Sequence, residues 1–211
     1  MILPEIVPLF PLPNFVLLPH VPSPFRAFEA RYVALVRALV ERDESDRWVA
    51  MPCLKGNWRE EYEESPGFHS VAAVGLATQI RRRVGGEFLF VVEGRSRARL
   101  EEIPSPGPYR LARVTAAPDT DSDPMPDPTP LIQLASQAAR VSGAMAGLTD
   151  GDPTPETLLF RLATAVLRDP AQKQRFLELS SPASRHRVLR DILLSMLGSA
   201  RRLNGGPPHT M

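Results

Sequence analysis

Seven prolines fall within the first 24 residues, and the residues between them are those of a buried strand. The run from Pro8 to Pro19, PLFPLPNFVLLP, is too apolar for a solvated tail and too rich in proline for a central strand. Proline has no N–H to give to a ladder, so within sheets it is confined to edges, strand ends and bulges. A chain that opens this way is constrained to short strands with interrupted edges, which suits a small irregular barrel better than a flat sheet. The runs IVPLFPL (6–12) and FVLLP (15–19) are the first strands this predicts.

The period then changes. In FRAFEARYVALVRALVERD (25–43), Phe28, Tyr32, Leu35 and Leu39 recur at three- and four-residue steps with Val36 beside them, which predicts an amphipathic helix. WVAMPCL (48–54) reads as a strand, KGNWREEYEESPGFH (55–69) as a long polar loop with three aromatics, and SVAAVGLATQI (70–80) and EFLFVV (87–92) as strands joined through Gly85-Gly86. RSRARLEEI (95–103) and YRLARVTA (109–116) complete a β region over residues 1–118. Residues 119–130 are acidic and proline-rich and read as a linker.

Residues 131–200 are helical in pattern. Leu131, Leu134, Ala138, Val141 and Met145 mark one stripe, and Thr154-Pro155, Asp169-Pro170 and Ser181-Pro182 each place a capping residue before a proline at a helix start. Val188, Leu189, Ile192, Leu193, Met196 and Leu197 give the last helix a broad apolar face, read as bundle core. The expectation is a four-helix bundle and then a disordered tail over 201–211.

Composition narrows the function. A net charge of +1 gives the whole molecule no strong pull toward nucleic acid or anionic lipid. The single cysteine, Cys53, excludes an internal disulfide and a cysteine-based zinc cluster, and its apolar surroundings make it a core residue. There is no signal-peptide pattern and no apolar run of membrane-spanning length, so the expected compartment is the cytoplasm. The P-loop, the Gly-x-Gly-x-x-Gly turn, the His-Glu-x-x-His pair and the Gly-x-Ser-x-Gly elbow are all missing. Lys173 lies among Gln172, Gln174 and Arg175, and Glu60, Glu61, Glu63 and Glu64 form a run typical of a solvated surface.

The opening block, with Pro8 to Pro13, Val16 to Pro19 and Phe28-Glu29-Ala30-Arg31-Tyr32, resembles the start of the substrate-binding N-terminal domain of the Lon ATP-dependent proteases. VGLATQI, VEGRSRARL and AQKQRFLELSSPASRHRVL are similar to further blocks of that family, and the loop from Leu54 to His69 resembles small bacterial proteins carrying the domain alone. The resemblance spans roughly residues 5–197. It implies an α+β fold, a PUA-like β pseudobarrel with one helix followed by the helical bundle. The family's ATPase module and Ser-Lys protease domain are not matched, nor are the paired cysteines of its zinc-bearing relatives. The resemblance therefore implies no catalytic residue, no cofactor and no metal.

In Lon this domain is implicated in engaging exposed segments of unfolded or tagged proteins. The expectation by resemblance is a non-catalytic module that binds unfolded or extended polypeptide, with a separate ATPase, protease or chaperone as a further partner. Trp58, Tyr62 and Phe68 are its candidate contacts, because three aromatics in a charged loop exceed what closing a turn requires; the competing reading is that they fold back over the barrel. The alternative is RNA or nucleotide binding through an arginine-rich face. Arg95, Arg97 and Arg99 alternate and would share one side of a strand, although Glu93, Glu101 and Glu102 are interleaved with them.

Overall fold

In the computed structural model, residues 2–56, 58–61, 65–120, 124–142 and 153–204 are described. Six strands form one antiparallel sheet: β1 (Ile6–Pro8), β2 (Pro22–Ala27), β3 (Trp48–Met51), β4 (Val71–Arg82), β5 (Phe88–Ile103) and β6 (Leu111–Ala116). The order is β1-β6-β5-β4-β3, with β2 paired to β5 beside this path. Beyond β1 the chain runs parallel to β3, through the bridges Leu9↔Ala50 and Leu12↔Cys53 and the bonds from the Phe10 and Leu12 N–H groups to the Ala50 and Pro52 carbonyls. The two ends of the sheet therefore meet. Val7, Leu9, Trp48, Ala50, Ala72, Val74, Ala98, Leu100 and Ala112 fill one core cluster. On the other side of β3 and β4, Val49, Met51, Ala73 and Ala77 join Phe88, Phe90 and Val92 in a second cluster under helix α1 (Ala30–Val40).

The proline-rich opening is buried without being a ladder. Residues 15–18, expected as a strand, are irregular, yet Val16, Leu17 and Leu18 are buried. A buried segment outside a sheet has N–H groups to satisfy, and each proline removes one. The segment lies against β5 at Gly94, whose N–H donates to the Val21 carbonyl while its own carbonyl accepts from His20 N–H. A Cβ at Gly94 would overlap the Leu18 carbonyl oxygen and sit 3.2 Å from Pro19 Cα.

Other boundaries also moved. FRA (25–27), at the start of the expected helix, instead ends β2 (PSPFRA), whose two prolines suit the edge position it holds. Phe28 precedes α1 and is 62% exposed, so it is not part of the helical stripe, whereas Tyr32, Leu35, Val36 and Leu39 are buried as expected. EFLFVV and RSRARLEEI belong to one strand of sixteen residues, β5. It stays continuous because a bulge re-aims it: Ser96 opposes Val74 and Gly94 opposes Gly75, leaving Arg95 as the extra residue. A second irregularity lies in β4, where Gln79 has φ +49 between the Thr78↔Val91 and Arg81↔Leu89 pairs. The Gly85-Gly86 turn stands where expected, with φ of +105° and +90°.

The chain divides into two compact units, residues 1–118 with 169–178 and residues 119–168 with 179–211. Helix α2 (Thr129–Ser142), α3 (Pro155–Val166) and α5 (Pro182–Asn204) lie in the second, while α4 (Pro170–Glu178) belongs to the first. The expected four-helix bundle over 131–200 thus loses one helix to the β unit. The physical reason is polar: Gln174 Nε2 donates to the Val71 carbonyl (2.9 Å), and the Leu177 carbonyl accepts from Arg97 (2.9 Å). The three proline-marked helix starts hold, since Thr154 Oγ1 accepts from Thr157 N–H, Asp169 Oδ1 from Ala171 N–H and Ser181 Oγ from Ser184 N–H. The expected linker is tied at one end, where Asp119 joins Arg185. Residues 201–204 continue α5, contrary to the expected tail; Met145 and residues 205–211 lie outside the described residues.

Arg185 organises the second unit. Its side chain is fully buried, forked onto the Asp119 carboxylate, bonded to the Leu179 carbonyl (2.8 Å) and stacked 5.1 Å from the Phe160 ring. A buried guanidinium is tolerated only with such a complete set of acceptors. We predict that Asp119→Asn, which leaves that charge without its counter-charge, costs about 3 kcal/mol in denaturant unfolding. Gly94→Ala is expected to cost at least about 2 kcal/mol on the same assay, because the Leu18 backbone must retreat.

Candidate functional site

The long loop after β3 is closed at its base. Lys55 N–H donates to the Gly67 carbonyl (2.8 Å), His69 N–H to the Cys53 carbonyl (2.9 Å), and Leu54 bridges Phe68. Phe68 thus stands at the stem and packs against the Val7–Leu9–Trp48 cluster, with the Arg110 guanidinium 5.0 Å from its ring. That is the covering role. Trp58 lies further out, half-buried, with the Arg59 guanidinium 4.7 Å from its ring. Tyr62 lies outside the described residues. Burial also pushes the Cys53 thiol up, away from the reactive thiolate, in keeping with a core role.

At the foot of this loop a small cleft opens in the first unit, lined by Leu9, Pro11, Tyr32, Leu54, Pro66, Tyr109 and the guanidinium groups of Arg31 and Arg110. Its floor is apolar. The Tyr32 hydroxyl is spent on the Pro11 carbonyl (3.1 Å). Arg110 forks onto Glu102 (2.6 Å to each oxygen) and donates to the Pro66 carbonyl (2.9 Å), fixing the loop stem. Arg31 pairs with Glu29 at 2.7 Å and lies 4.9 Å from the Tyr32 ring. Both cations are matched by carboxylates, so the cleft presents apolar surface between flat guanidinium walls. Its free space is about 10 Å³, room for about one water molecule, so the cleft is a shallow dimple that holds no side chain as it stands.

Arg95, Arg97 and Arg99 do not form the exposed strip that their alternation suggested. Arg97 is 6% exposed and donates to the carbonyls of Leu177 (2.9 Å), Ala117 (3.0 Å) and Pro118 (3.3 Å). Arg95 is the bulge residue and pairs with Glu93 at 2.7 Å. Only Arg99 is exposed. The bulge, for which Gly94 was the signal, takes Arg95 out of phase; Arg97 and Arg99, opposite Ala73 and Val71, still share a face and differ because residues 117, 118 and 177 close over Arg97. Sequence reasoning did not single out Arg31 or Arg110 as cleft residues: no local pattern distinguishes an arginine lining a cleft from one on a solvated face.

Among the described residues, no three His, Cys, Asp or Glu side chains converge to hold a metal ion, and no helix is long and apolar enough to cross a membrane.

Residues 6–195 match the family model of the ATP-dependent protease La (LON) substrate-binding domain, and the chain belongs to that family. It is 26% identical over 123 residues to a Lon protease of Cytophaga hutchinsonii and 28% identical over 123 residues to Lon protease 2 of Myxococcus xanthus. Each match covers 57% of this chain but 14% of the relative, so the chain corresponds to a small part of those proteins. Among solved structures, the N-terminal domain of a Mycobacterium avium complex Lon protease is similar with a TM-score of 0.62 and 20% identity, covering 90% of this chain and 98% of that one. A Lon N-terminal domain protein from Xanthomonas campestris is similar with a TM-score of 0.63 and 20% identity, covering 88% and 97%. The fold is that of the Lon N-terminal domain.

Replacing Arg97 tests its structural role directly. Arg97→Ala is expected to lower stability by about 3 kcal/mol in chemical unfolding, since three carbonyls lose their donor, whereas Arg99→Ala changes it by no more than about 0.5 kcal/mol.

Proposed function

We propose that this chain is a non-catalytic recognition module that binds extended segments of unfolded polypeptide. The observation that carries the reading is the match to a substrate-binding domain over residues 6–195. The first unit is read as a PUA-like pseudobarrel, because the sheet's ends meet through residues 9–12 and small residues fill one face. The outer part of the 55–67 loop, with Trp58 and Tyr62, supplies the aromatic anchors for the client. Aromatic side chains favour binding because they give large contact area for little lost rotamer freedom. Phe68, the third candidate contact, is read as a stem residue that supports the loop from below. A separate ATPase, protease or chaperone would act on the captured chain in the cytoplasm, as this reading has it.

The test is binding of labelled ribonuclease A, reduced and carboxamidomethylated so that it stays unfolded, followed by fluorescence anisotropy with native ribonuclease as control. The unfolded chain should bind and the native one should not. The double variant Trp58→Ala, Tyr62→Ala should weaken binding about tenfold with an unchanged melting temperature, the loss expected from one good anchor. Equal binding by wild type and double variant would place the client elsewhere on the molecule.

A further inference from the structure

Beyond the β4–β5 bulge, one face of the sheet is left open. Strands β2, β5 and β4 lie side by side there, and their pairs place Arg26, Leu89 and Arg81 in one row across the three strands. Directly paired residues share a face, so the row continues one step back as Pro24, Val91 and Thr78 and one step forward as Glu87 and Arg83, which are joined by the Arg83 N–H to Glu87 carbonyl bond (2.8 Å). Leu89 is 36% exposed and Phe28, under the Arg26 guanidinium at 5.6 Å, is 62% exposed. Pro24, Arg26, Arg81 and Arg83 are also exposed. Among the described residues of these rows the carboxylate is Glu87, forked onto Arg26 (2.9 and 2.7 Å), and Glu93, one pair further back, is paired with Arg95 (2.7 Å) and accepts from the Thr78 hydroxyl (3.3 Å). What remains is an apolar centre of Leu89 and Phe28 with an excess of positive charge from Arg81 and Arg83.

We propose that this open face of β2, β5 and β4 docks an acidic polypeptide segment that carries an apolar anchor. The chemistry decides the partner. An excess of guanidinium around the patch attracts carboxylates and repels basic chains, while Leu89 and Phe28 offer an aliphatic and an aromatic surface that water leaves on binding. A nucleic acid fits less well, because its phosphates call for a continuous cationic track, and here an aliphatic centre and a carboxylate interrupt it. The prolines of β2 argue further that the segment lies on the face rather than extending the sheet, since Pro22 and Pro24 have no N–H to offer at that edge. This proposal does not rest on the reading above, because it uses no residue of the 54–70 loop.

The experiment measures anisotropy of a labelled synthetic peptide of glutamates and aspartates interrupted by leucine and phenylalanine. Its controls are the same peptide with lysine for each acid, the same peptide with alanine for each apolar residue, and a short oligouridylate. The acidic apolar peptide should bind best and lose most of its affinity near 1 M salt, where the screening length falls to about 3 Å. The Arg81→Glu, Arg83→Glu variant should weaken it at least about tenfold, and Leu89→Ser should weaken it separately, both with normal melting curves. Arg81→Gln, Arg83→Gln serves in place of the charge reversal should that variant melt early. Both variants should bind unfolded ribonuclease, itself a basic chain, as wild type does, so this face and the loop are judged apart. Equal binding of the lysine peptide, no loss in the arginine variants, or no binding of the acidic peptide overturns the proposal. Tighter binding of oligouridylate, lost in the same arginine variants, overturns it in favour of nucleic acid.

Discussion

The first unit depends on one buried cation. Arg97 sits on β5 just past the bulge and gives its guanidinium to three backbone carbonyls, two at the end of the β region and one in the last turn of α4, 80 residues further along. The last-turn carbonyls of a helix carry the negative end of its dipole, so a guanidinium there is well placed. It also satisfies a carbonyl the helix itself leaves unpaired. Because a buried guanidinium without acceptors is far too costly to keep, the three carbonyls and Arg97 must be brought together or not at all. That requirement explains why a short helix far along the chain folds with the sheet rather than with its sequence neighbours. Gln174, bonded to the Val71 carbonyl, adds a second tie of the same kind. Arg185 does the parallel task in the other unit, with Asp119 as its counter-charge.

Seen this way, the contrast between the arginines that build the fold and those that face water is a matter of acceptors. Arg97, Arg110 and Arg185 are surrounded by carbonyls or a forked carboxylate, and each holds together segments distant in sequence. Arg81 and Arg83 lie at the end of a hairpin where the chain has turned on two glycines. A surface of that kind has little structural use for its charge. The same residue type therefore serves two purposes, and only position in the sheet separates them.

The helix over Ala30–Val40, the hairpin at Gly85-Gly86 and the proline-marked starts of α3, α4 and α5 were legible because each rests on local chemistry: a period of apolar residues, a glycine at positive φ, a capping side chain before a proline. What was not legible depends on partners far away in sequence. FVLLP has every local mark of a strand, but its backbone is set by Gly94, which has no side chain to hold the Leu18 carbonyl off. The arginine strip over 95–99 failed for the same reason: a bulge beside Gly94 put Arg95 out of phase, and segments distant in sequence, residues 117–118 and α4, cover Arg97 while leaving Arg99 exposed on the same face. Of the three loop aromatics, Phe68 was indistinguishable in sequence from Trp58; the bridge to Leu54 that makes it a stem residue is a tertiary fact.

The opening prolines then acquire a consistent physical role. In a central strand each would remove a ladder bond, but in segments 11–19 the chain is buried against other elements with few ladder partners, and a missing N–H is one fewer group to satisfy. In β2 the prolines lie along an edge, where an ordinary residue would present an N–H to any passing strand. An edge without those N–H groups is also closed to strand addition by an extended segment of another chain. A polypeptide docked on side-chain surfaces alone would be held reversibly, whereas one paired to an unguarded edge would be committed through its backbone and open to aggregation.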